Sequence, residues 1–432
     1  MKRITKLVVM CLTGAFVLGL TSCSDDSDGV EIVHHGDALK AVVGNYVDVV
    51  VEPTYKDLAE KANTLYDACQ SLYQKRKAGT LTQTDIDAAC DAFKAARKDW
   101  EQSESFLYGA ASDNEIDPHI DSWPLDHDQL EKALTDANTI AGITGANPVK
   151  YVYDNNVNFA SVLGFHGLEF VLFRDGKNRT AAAFNAANET EAGLTSVTTL
   201  NEAAFAAAVA GDLRNMIYLL EYGWLGDKIN ADHKTQLFSN AKWVVDRTKH
   251  QGLSNAGVSY ADFVKGVQAG KSMFTTWHEN VNNILVAGCS NICGEVFSQK
   301  LGQAYRKATG TGTADDAANY IESPYSKRSF QDYQDNIYSI KNSLYGVRGT
   351  ENISTPAQNS IMNFLKTNNY PKFNELNNAL NEAINALQTA KMSGTAFIDN
   401  PSHPQVNTCI EKVKALNEAL NEAGSWINKL SD

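Results

Sequence analysis

A histidine and a glutamate stand three positions apart in an otherwise apolar stretch, "GFHGLEFVLF", which covers residues 164–173. In a helix His166 and Glu169 would lie one turn apart, close enough to reach a common partner. Because an unpaired buried carboxylate is costly, Glu169 requires a cation, a hydrogen-bond donor or a metal ion. Two interpretations remain open. The pair satisfies itself and a neighbouring Arg or Tyr within a core, or it forms part of a metal site.

The spacing of this pair differs from that of the zinc proteases. Those enzymes carry H-E-x-x-H, or H-x-x-E-H in reversed order, and here Phe170 and Val171 occupy the positions of a second histidine. A metal site in this chain would therefore recruit its other ligands from elsewhere in the sequence.

Three other stretches offer such ligands. In "RKDWEQSESFLYG", Trp100 and Glu104 are four apart, so Glu104 points along an apolar helical stripe. In "DPHIDSWPLD", a proline turn holds Trp123 beside the carboxylate of Asp121, and in "ESPYSKRSF", Glu322 precedes a Ser-Pro turn. Each of these residues also has a structural interpretation as a cap or a packing residue.

The elements that must position these residues are helices. Apolar residues recur at steps of three and four, and alternating runs of Val, Ile and Thr are nearly absent. The predicted helical segments are 84–109, 158–173, 205–224, 374–387 and 406–430. The predicted loops are 110–128, 174–200 and 308–316. The sequence therefore predicts an all-α fold of packed bundles.

A further helix is predicted from "SYAD", where Ser259 is an N-cap followed by an acidic third position. This helix is expected to run towards Trp277. His278 and Glu279, in "TTWHEN", are expected to be exposed helix residues of little chemical importance.

The length of 432 residues indicates two domains, or one domain built by duplication. Two segments, 46–65 and 260–284, both open with a Tyr-containing turn and continue as amphipathic helices. We expect two related helical-bundle subdomains packed side by side, covering residues 37–245 and 246–432.

The N-terminus indicates a lipoprotein. Three basic residues precede a fourteen-residue apolar run that is too short to span a bilayer, and residues 1–22 therefore read as a signal peptide. The run ends in "LTSC", which resembles a bacterial lipobox and makes Cys23 the lipid anchor. Residues 23–36 begin with an acidic, flexible tether that also resembles the outer-membrane export signal of Bacteroidetes-type lipoproteins. No other stretch was expected to span a membrane, so lipids at Cys23 would hold the mature protein at the outer membrane.

The charge balance excludes one class of partner. The net charge of -13 moves to -16 when the signal peptide is removed, and no basic patch interleaved with aromatics is present. Nucleic-acid binding is therefore not expected, whereas an acidic shell is compatible with cation binding. The remaining five cysteines do not form a disulfide framework, and we expect them to be small buried side chains. They are Cys69, Cys90, Cys289, Cys293 and Cys409.

Taken together, the motifs resemble one protein family. "GFHGLE" is similar to the G-x-H-x-x-E signature of imelysins, and three other segments resemble recurring segments of that family in the same order. These are "WEQSESFLYG", "IDSWPLD" and "ESPYSKRSFQDYQDNIYSIKNSLYG". The resemblance implies an all-helical fold of two related bundles, a lipoprotein or periplasmic location, and a site at the junction of the bundles.

By residue match, the resemblance implies that His166 and Glu169 are metal ligands, with Glu104 as a third. The residues that would line the site are Asp121, Trp123, Glu322 and Trp100. Imelysins are classed as metallopeptidases, while relatives are iron-regulated or take part in iron uptake. The absence of a second nearby histidine, together with the many carboxylates, favours binding of a hard cation such as iron over zinc-dependent hydrolysis. The predicted function is an envelope lipoprotein that binds iron, or an iron-bearing ligand, and works with a transport partner. The alternative is a metallopeptidase.

Overall fold

Helices account for nearly all regular structure in the computed structural model, which describes residues 35–268 and 272–431. The α-helices are α1 Gly36–Asn45, α2 Glu52–Ala78, α3 Gln83–Glu101, α4 Ala110–Asp113, α5 Asp117–Ile120, α6 His127–Thr135, α7 Ala137–Ile143, α8 Pro148–Asp154, α9 Asn156–Phe159, α10 Gly164–Leu172, α11 Ala181–Asn185, α12 Thr199–Leu225, α13 Ala231–Thr235, α14 Lys242–Asp246, α15 Tyr260–Lys265, α16 Trp277–Asn283, α17 Asn291–Glu295, α18 Gly302–Thr309, α19 Ser329–Tyr345, α20 Ile361–Thr367, α21 Phe373–Lys391 and α22 Pro404–Ile427.

Shorter elements connect these helices. Four π-helical segments join neighbouring α-helices, so that residues 36–78 and 277–309 each run on as one long helical stretch. The π segments are Tyr46–Val51, Gln236–Asn240, Ile284–Ser290 and Val296–Lys300, and the 3-10 turns are Glu104–Phe106, Gly226–Lys228 and Lys249–Gly252. One antiparallel hairpin, β1 Phe173–Arg174 with β2 Lys177–Asn178, pairs Phe173 with Asn178. The predicted all-α fold is confirmed.

Helix α12 is the central element of the core. It is apolar on nearly every face, and its residues pack against α2 along their length and against α10. The segment Thr199–Lys228 is long and apolar enough to cross a membrane, which the sequence reading did not anticipate, but 94% of its most apolar window is buried inside the protein. We therefore describe it as a core helix of the fold.

Several predicted helices are confirmed, and others end earlier than their periodicity indicated. The C-terminal pair forms α21 and α22, and Ser259 caps α15 by accepting the backbone N–H of Asp262. The expectation that this helix runs towards Trp277 is wrong, because α15 ends at Lys265 and α16 begins separately at Trp277. His278 is buried rather than exposed, since it lies on the inner face of α16.

Two of the predicted segments divide into smaller elements. The predicted helix 158–173 is shorter than expected, because α9 ends at Phe159 and α10 begins only at Gly164. The predicted loops 110–128 and 174–200 contain short helices and the β2 strand. The five cysteines are buried and free, as predicted.

Residues His34–Asp432 form one compact unit by their contacts. The division into related subdomains at residues 245 and 246 remains a prediction. The signal peptide 1–22, the Cys23 anchor and the tether as far as residue 34 lie outside the described residues.

Candidate metal centre

The centre of the candidate site is a buried arginine on α3. Arg97 lies among four carboxylates: its Nη1 contacts Asp121, and its Nη2 contacts Glu322 and lies 2.5 Å from Glu101 Oε1. Its Nε is 3.6 Å from Asp332 Oδ2. Because the guanidinium fork presents donors in several directions, one side chain links α3, the turn after α5, the loop before α19 and α19 itself.

His166 enters this cluster from α10. Its Nε2 lies 3.0 Å from Asp121 Oδ1, and Asp121 Oδ2 accepts a hydrogen bond from Trp100 Nε1 at 2.8 Å. Burial alone would raise the pKa of Asp121, but Arg97 and His166 hold it well below its usual range. Burial would lower the pKa of His166, but the carboxylates of Asp121 and Glu169 outweigh burial and raise that pKa to about 9.

Glu169 is held by the loop that precedes α19. Its Oε1 accepts the backbone N–H and the hydroxyl of Ser326, each at 2.7 Å, while its Oε2 lies 3.9 Å from His166 Nδ1. The predicted pairing of His166 with Glu169 therefore exists but is loose, and the donors of Ser326 carry the tighter contacts.

A lysine closes the opposite side of the cluster. Lys300, at the end of the π segment Val296–Lys300, lies 3.1 Å from Glu322 Oε2 and 3.9 Å from Glu295 Oε1. Its side chain is only 2% exposed, so its charge acts in a region with little water to screen it. Lys300 and Arg97 together neutralise Glu322 from two sides.

Other carboxylates of the cluster are less well compensated. Burial raises the pKa of Glu104, with Lys300 opposing the effect and the neighbouring acids adding to it. Burial and the charge of Asp121 raise the pKa of Asp117 to about 7. Burial likewise raises the pKa of Glu101. These carboxylates are short of positive charge.

We call this whole group of charged side chains the acidic cluster, because its carboxylates outnumber its cations. Arg97, Lys300 and protonated His166 face a larger set of carboxylates, with Arg328 at the edge 3.6 Å from Asp332 Oδ1. The carboxylates are Glu101, Glu104, Asp117, Asp121, Glu169, Glu295, Glu322 and Asp332. Burying unpaired charge is unfavourable, so the carboxylates with a raised pKa hold protons more readily, and a bound cation would compete with those protons.

The same side chains have the spacing of metal ligands. One potential ligand atom from each of Asp121, His166 and Glu322 lies within 4.8 Å of the other two, and the same holds for Glu101, Glu104 and Asp121. Among the described residues, His166 Nε2 and Glu169 Oε2 are buried and make no hydrogen bond of good geometry, although His166 Nε2 remains in ionic contact with Asp121 at 3.0 Å. Carboxylate oxygens with one imidazole nitrogen suit a hard cation, so the residues present fit a bound metal ion.

The glycines of the G-x-H-x-x-E sequence explain how α10 reaches the cluster. Gly164 has φ of +64°, and a β-carbon there would lie 1.8 Å from the carbonyl oxygen of Ile120. At Gly167 a β-carbon would lie 2.0 Å from the carbonyl oxygen of Val162. No other residue type fits at these positions without moving the backbone, so the glycines bring His166 against the segment that carries Asp121.

One aromatic ring lies beside the imidazole, and a second packs against the first. The ring of Trp123 lies 6.3 Å from that of His166 and 4.1 Å from that of Tyr320, measured between centroids. Both aromatic residues are half-buried, and His166 itself is only 2% exposed.

The structure brings all the predicted site residues into or against one cluster. His166, Glu169, Glu104, Asp121 and Glu322 belong to the cluster, while Trp100 and Trp123 contact its members.

The sequence reading passed over Arg97, Lys300 and Asp332, and it placed Glu101 only at the edge of a stripe. A local signal existed for Arg97, which stands four residues before Glu101 on α3. Lys300 comes from a distant helix and carried no such signal.

Comparison with known proteins places the chain among helical relatives. Residues 51–423 match the family described as imelysin. A segment of 131 residues is 33% identical to iron-regulated protein A of Synechococcus elongatus, and this segment spans only 31% of that protein and 30% of this chain.

Two crystal structures share the fold over almost the whole chain. One is described as an iron-regulated protein A precursor from Parabacteroides distasonis, with 25% identity, a TM-score of 0.69, and coverage of 92% of this chain and 96% of that one. The other is an imelysin-like protein from Psychrobacter arcticum, with 15% identity, a TM-score of 0.53, and coverage of 93% and 96%.

Proposed function

The chain belongs to the imelysin family, and we propose that it is a cell-envelope lipoprotein that binds iron in the acidic cluster and takes part in iron uptake. The observation that carries the proposal is the unequal charge of this cluster, in which buried carboxylates outnumber the cations and several potential ligand atoms, those of His166 and Glu169 among them, make no hydrogen bond within the described residues. The names of the related proteins from Synechococcus elongatus and Parabacteroides distasonis support the choice of iron.

The proposed ligands are His166, Glu169 and Glu104, and the mutual distances of the ligand atoms add Asp121 and Glu322, which lie within 4.8 Å of His166 and of each other. A bound cation would take the place of the proton on His166 and lower the cost of burying Glu104. The guanidinium of Arg97 would keep the remaining carboxylates in position. Iron is the cargo in this proposal and zinc is the alternative ion.

The metallopeptidase alternative has less support from the site. Asp121, His166 and Glu169 are at most 9% exposed, so a polypeptide substrate has no direct approach to them. A hydrolytic zinc normally has three protein ligands, an open position and a base that activates water. Release of peptide fragments from a denatured protein substrate, if a chelator abolished it, would favour the peptidase over the transport role.

Metal binding is tested by metal analysis and anaerobic calorimetry with ferrous iron, using manganese(II) as a redox-stable substitute. We expect wild-type protein to bind one ion, and His166→Ala and Glu169→Ala to weaken binding by about a hundredfold, since even outer-shell changes cost ten- to a hundredfold. The matched control is His233→Ala, which breaks a different buried His–Glu pair, His233 Nδ1 with Glu221 Oε2 at 2.7 Å. Equal binding by all four proteins would contradict the proposal. If the site variants keep function and only lose stability, the pair is a structural network.

The envelope location is tested through Cys23. We expect the wild-type protein to fractionate with the outer membrane and Cys23→Ser to be released from it, because acylation of the thiol would provide the anchor. Protease treatment of intact cells then distinguishes the two faces of that membrane. Crosslinking in cells identifies a transport partner, which the proposal expects to be an envelope protein.

A further inference from the structure

A groove outside the acidic cluster is lined by positive charge. It lies between α3, α19 and α21 and has a volume of about 550 Å³. Its charged lining consists of the cations Lys94, Lys98, Arg328 and Lys391 and the carboxylates Asp335 and Glu351. We call it the basic groove. In a chain with a net charge of -13, this local excess of positive charge runs against the overall balance.

Two of its cations make no hydrogen bond to a carboxylate among the described residues. Lys391 Nζ donates only to amide oxygens, those of Gln331 at 2.9 Å and Gln334 at 2.6 Å. Arg328 makes no side-chain hydrogen bond within 35–268 and 272–431, and its Nε stays 3.6 Å from Asp332 Oδ1, although its side chain is only 23% exposed. A largely buried guanidinium normally has a bidentate acceptor, so the N–H groups of Arg328 are free to bind one.

The two carboxylates of the groove, Asp335 and Glu351, already have hydrogen-bond or ionic partners. Asp335 accepts hydrogen bonds from the amides of Gln102 and Gln331, each at 2.8 Å, and Glu351 pairs with Lys98 at 2.7 Å. Burial and the nearby charge of Arg328 lower the pKa of Lys391, with Asp335 opposing the shift. The two cations therefore repel each other, and the nearest carboxylates, Asp332 for Arg328 and Asp335 for Lys391, compensate them only at a distance, without a hydrogen bond to either cation.

We propose that the basic groove binds a small anion that carries two or more carboxylate or phosphate groups, held between Arg328 and Lys391. This binding site is separate from the metal function proposed above. An adjoining hollow of about 370 Å³ shares Arg328, Gln331 and Lys391, so the two cations stand where both spaces meet.

The lining determines the class of ligand. Arg328 offers a planar fork suited to an oxyanion, Lys391 offers a point charge, and Gln334 and Gln388 add neutral hydrogen-bonding groups. A single halide would engage only one of these donors, whereas a polyanion of the size of a tricarboxylate reaches both cations at once. Lys94 and Lys98 would meet its outer groups.

Calorimetric titration with two probes, tricarballylate and pyrophosphate, tests the proposal and separates the carboxylate source from the phosphate source. The protein is stripped of metal and then dialysed, because most chelators are themselves polycarboxylates. We expect millimolar or tighter binding of at least one probe by the wild type. Lys391→Gln and Arg328→Gln are expected to weaken it about tenfold or more, because hydrogen bonds to charged groups are the strong ones.

The matched control is Lys412→Gln, which removes the same charge from a surface ion pair with Glu382 at 2.8 Å and is expected to bind as the wild type does. Lys391→Arg keeps the charge and is expected to retain most of the affinity, which separates loss of charge from loss of folding. The His166→Ala protein is expected to bind both probes normally, so failure of the metal proposal leaves this result unaffected. Absence of binding by the wild type, or equal binding by Lys391→Gln and Lys412→Gln, would overturn the proposal.

Discussion

Two buried ionic clusters lie at opposite ends of helix α10, and they differ in charge balance. The acidic cluster surrounds His166 near the start of the helix. The second, which we call the arginine cluster, lies beyond its end and consists of Arg174, Arg179, Glu189 and Glu202.

The arginine cluster has equal numbers of cations and buried acids, although burial raises the pKa of Glu202 to about 8 and its Oε1 accepts no hydrogen bond within the described residues. Arg179 reaches Glu189 at 2.9 Å and Glu202 at 3.1 Å, and it also donates to the carbonyl oxygen of Val171 at 3.1 Å. Arg174 reaches Glu189 at 2.6 Å, and its guanidinium lies 3.7 Å from the centre of the Phe170 ring. Two cations face two buried acids, and the cations also bind the last carbonyl groups of α10.

The difference shows how a structural ion network is told from a binding site. Both clusters are buried and both perturb the pKa values of their members, so burial and pKa alone do not separate them. The number of charges does separate them: the arginine cluster has two cations for two buried acids, while the acidic cluster has more carboxylates than cations. An added cation should therefore stabilise the acidic cluster and leave the stability of the arginine cluster unchanged.

The largest expected effect comes from removing the central cation of the acidic cluster. We expect Arg97→Met to lower the free energy of unfolding of the metal-free protein by about 5 kcal/mol, the upper end for a broken buried ion pair, because four carboxylates lose their partner. Urea denaturation measures this loss. Manganese(II) is expected to restore part of it, and no recovery would contradict the view that the cluster accepts a cation.

The corresponding change in the arginine cluster should be smaller and insensitive to metal. We expect Arg179→Met to cost about 3 kcal/mol, since Arg174 still compensates Glu189. The same denaturation experiment with manganese(II) should show no recovery. Arg247→Met is the control, because its ion pair with Asp154 is at the surface and is worth about 1 kcal/mol or less. Metal rescue of Arg179→Met would remove the distinction between the clusters.

The sequence predicted more of the fold than of the electrostatics. Helical periodicity identified α3, α12, α21 and α22, because burial of an apolar stripe leaves a pattern in the chain itself. Periodicity alone predicted a helix that begins too early, at residue 158, whereas α10 begins at Gly164. That start is set by the close approach of Gly164 to the carbonyl group of Ile120, a contact between segments distant in sequence.

The candidate site shows the same limit. His166 and Glu169 stood out because they are polar residues in an apolar stretch, whereas Lys300 appears as an ordinary cation in its own segment. Its position opposite Glu322 depends on the packing of distant helices, which no local spacing encodes. Charge balance in a buried cluster therefore becomes visible only in three dimensions.

Metal affinity should depend on pH through His166. The pKa of His166 is raised to about 9, so below that pH a metal ion must displace a proton, and affinity should fall by up to about tenfold per pH unit. The stability of the metal-free protein should show the opposite trend. The proton on His166 stabilises the fold fully below pH 6.5, and this contribution is lost as the pH rises through about 9.

Calorimetry with manganese(II) between pH 6 and pH 8.5 measures this dependence. The control variant His233→Gln should keep the slope because its histidine lies in another pair. A slope that is unchanged in His166→Gln would exclude His166 as the source of the released proton.

The smallest expected effect is on the free energy of unfolding when one carboxylate is neutralised, and its sign should differ between the two clusters. Burial raises the pKa of Glu104, so its charged form is unfavourable in the folded protein without metal, and Glu104→Gln should raise the free energy of unfolding by about 1 kcal/mol. A hydrogen bond from the Glu202 carboxyl, together with the charges of Arg179 and Arg174, outweighs burial and lowers the pKa of Glu189 to about 2, so Glu189→Gln should instead cost about 2 kcal/mol. Urea denaturation at pH 7 of both metal-free variants measures the signs, and calorimetry should show that Glu104→Gln binds manganese(II) more weakly while Glu189→Gln does not. If Glu104→Gln destabilised the protein as Glu189→Gln does, Glu104 would be a satisfied member of its network, and the acidic cluster would not be short of positive charge.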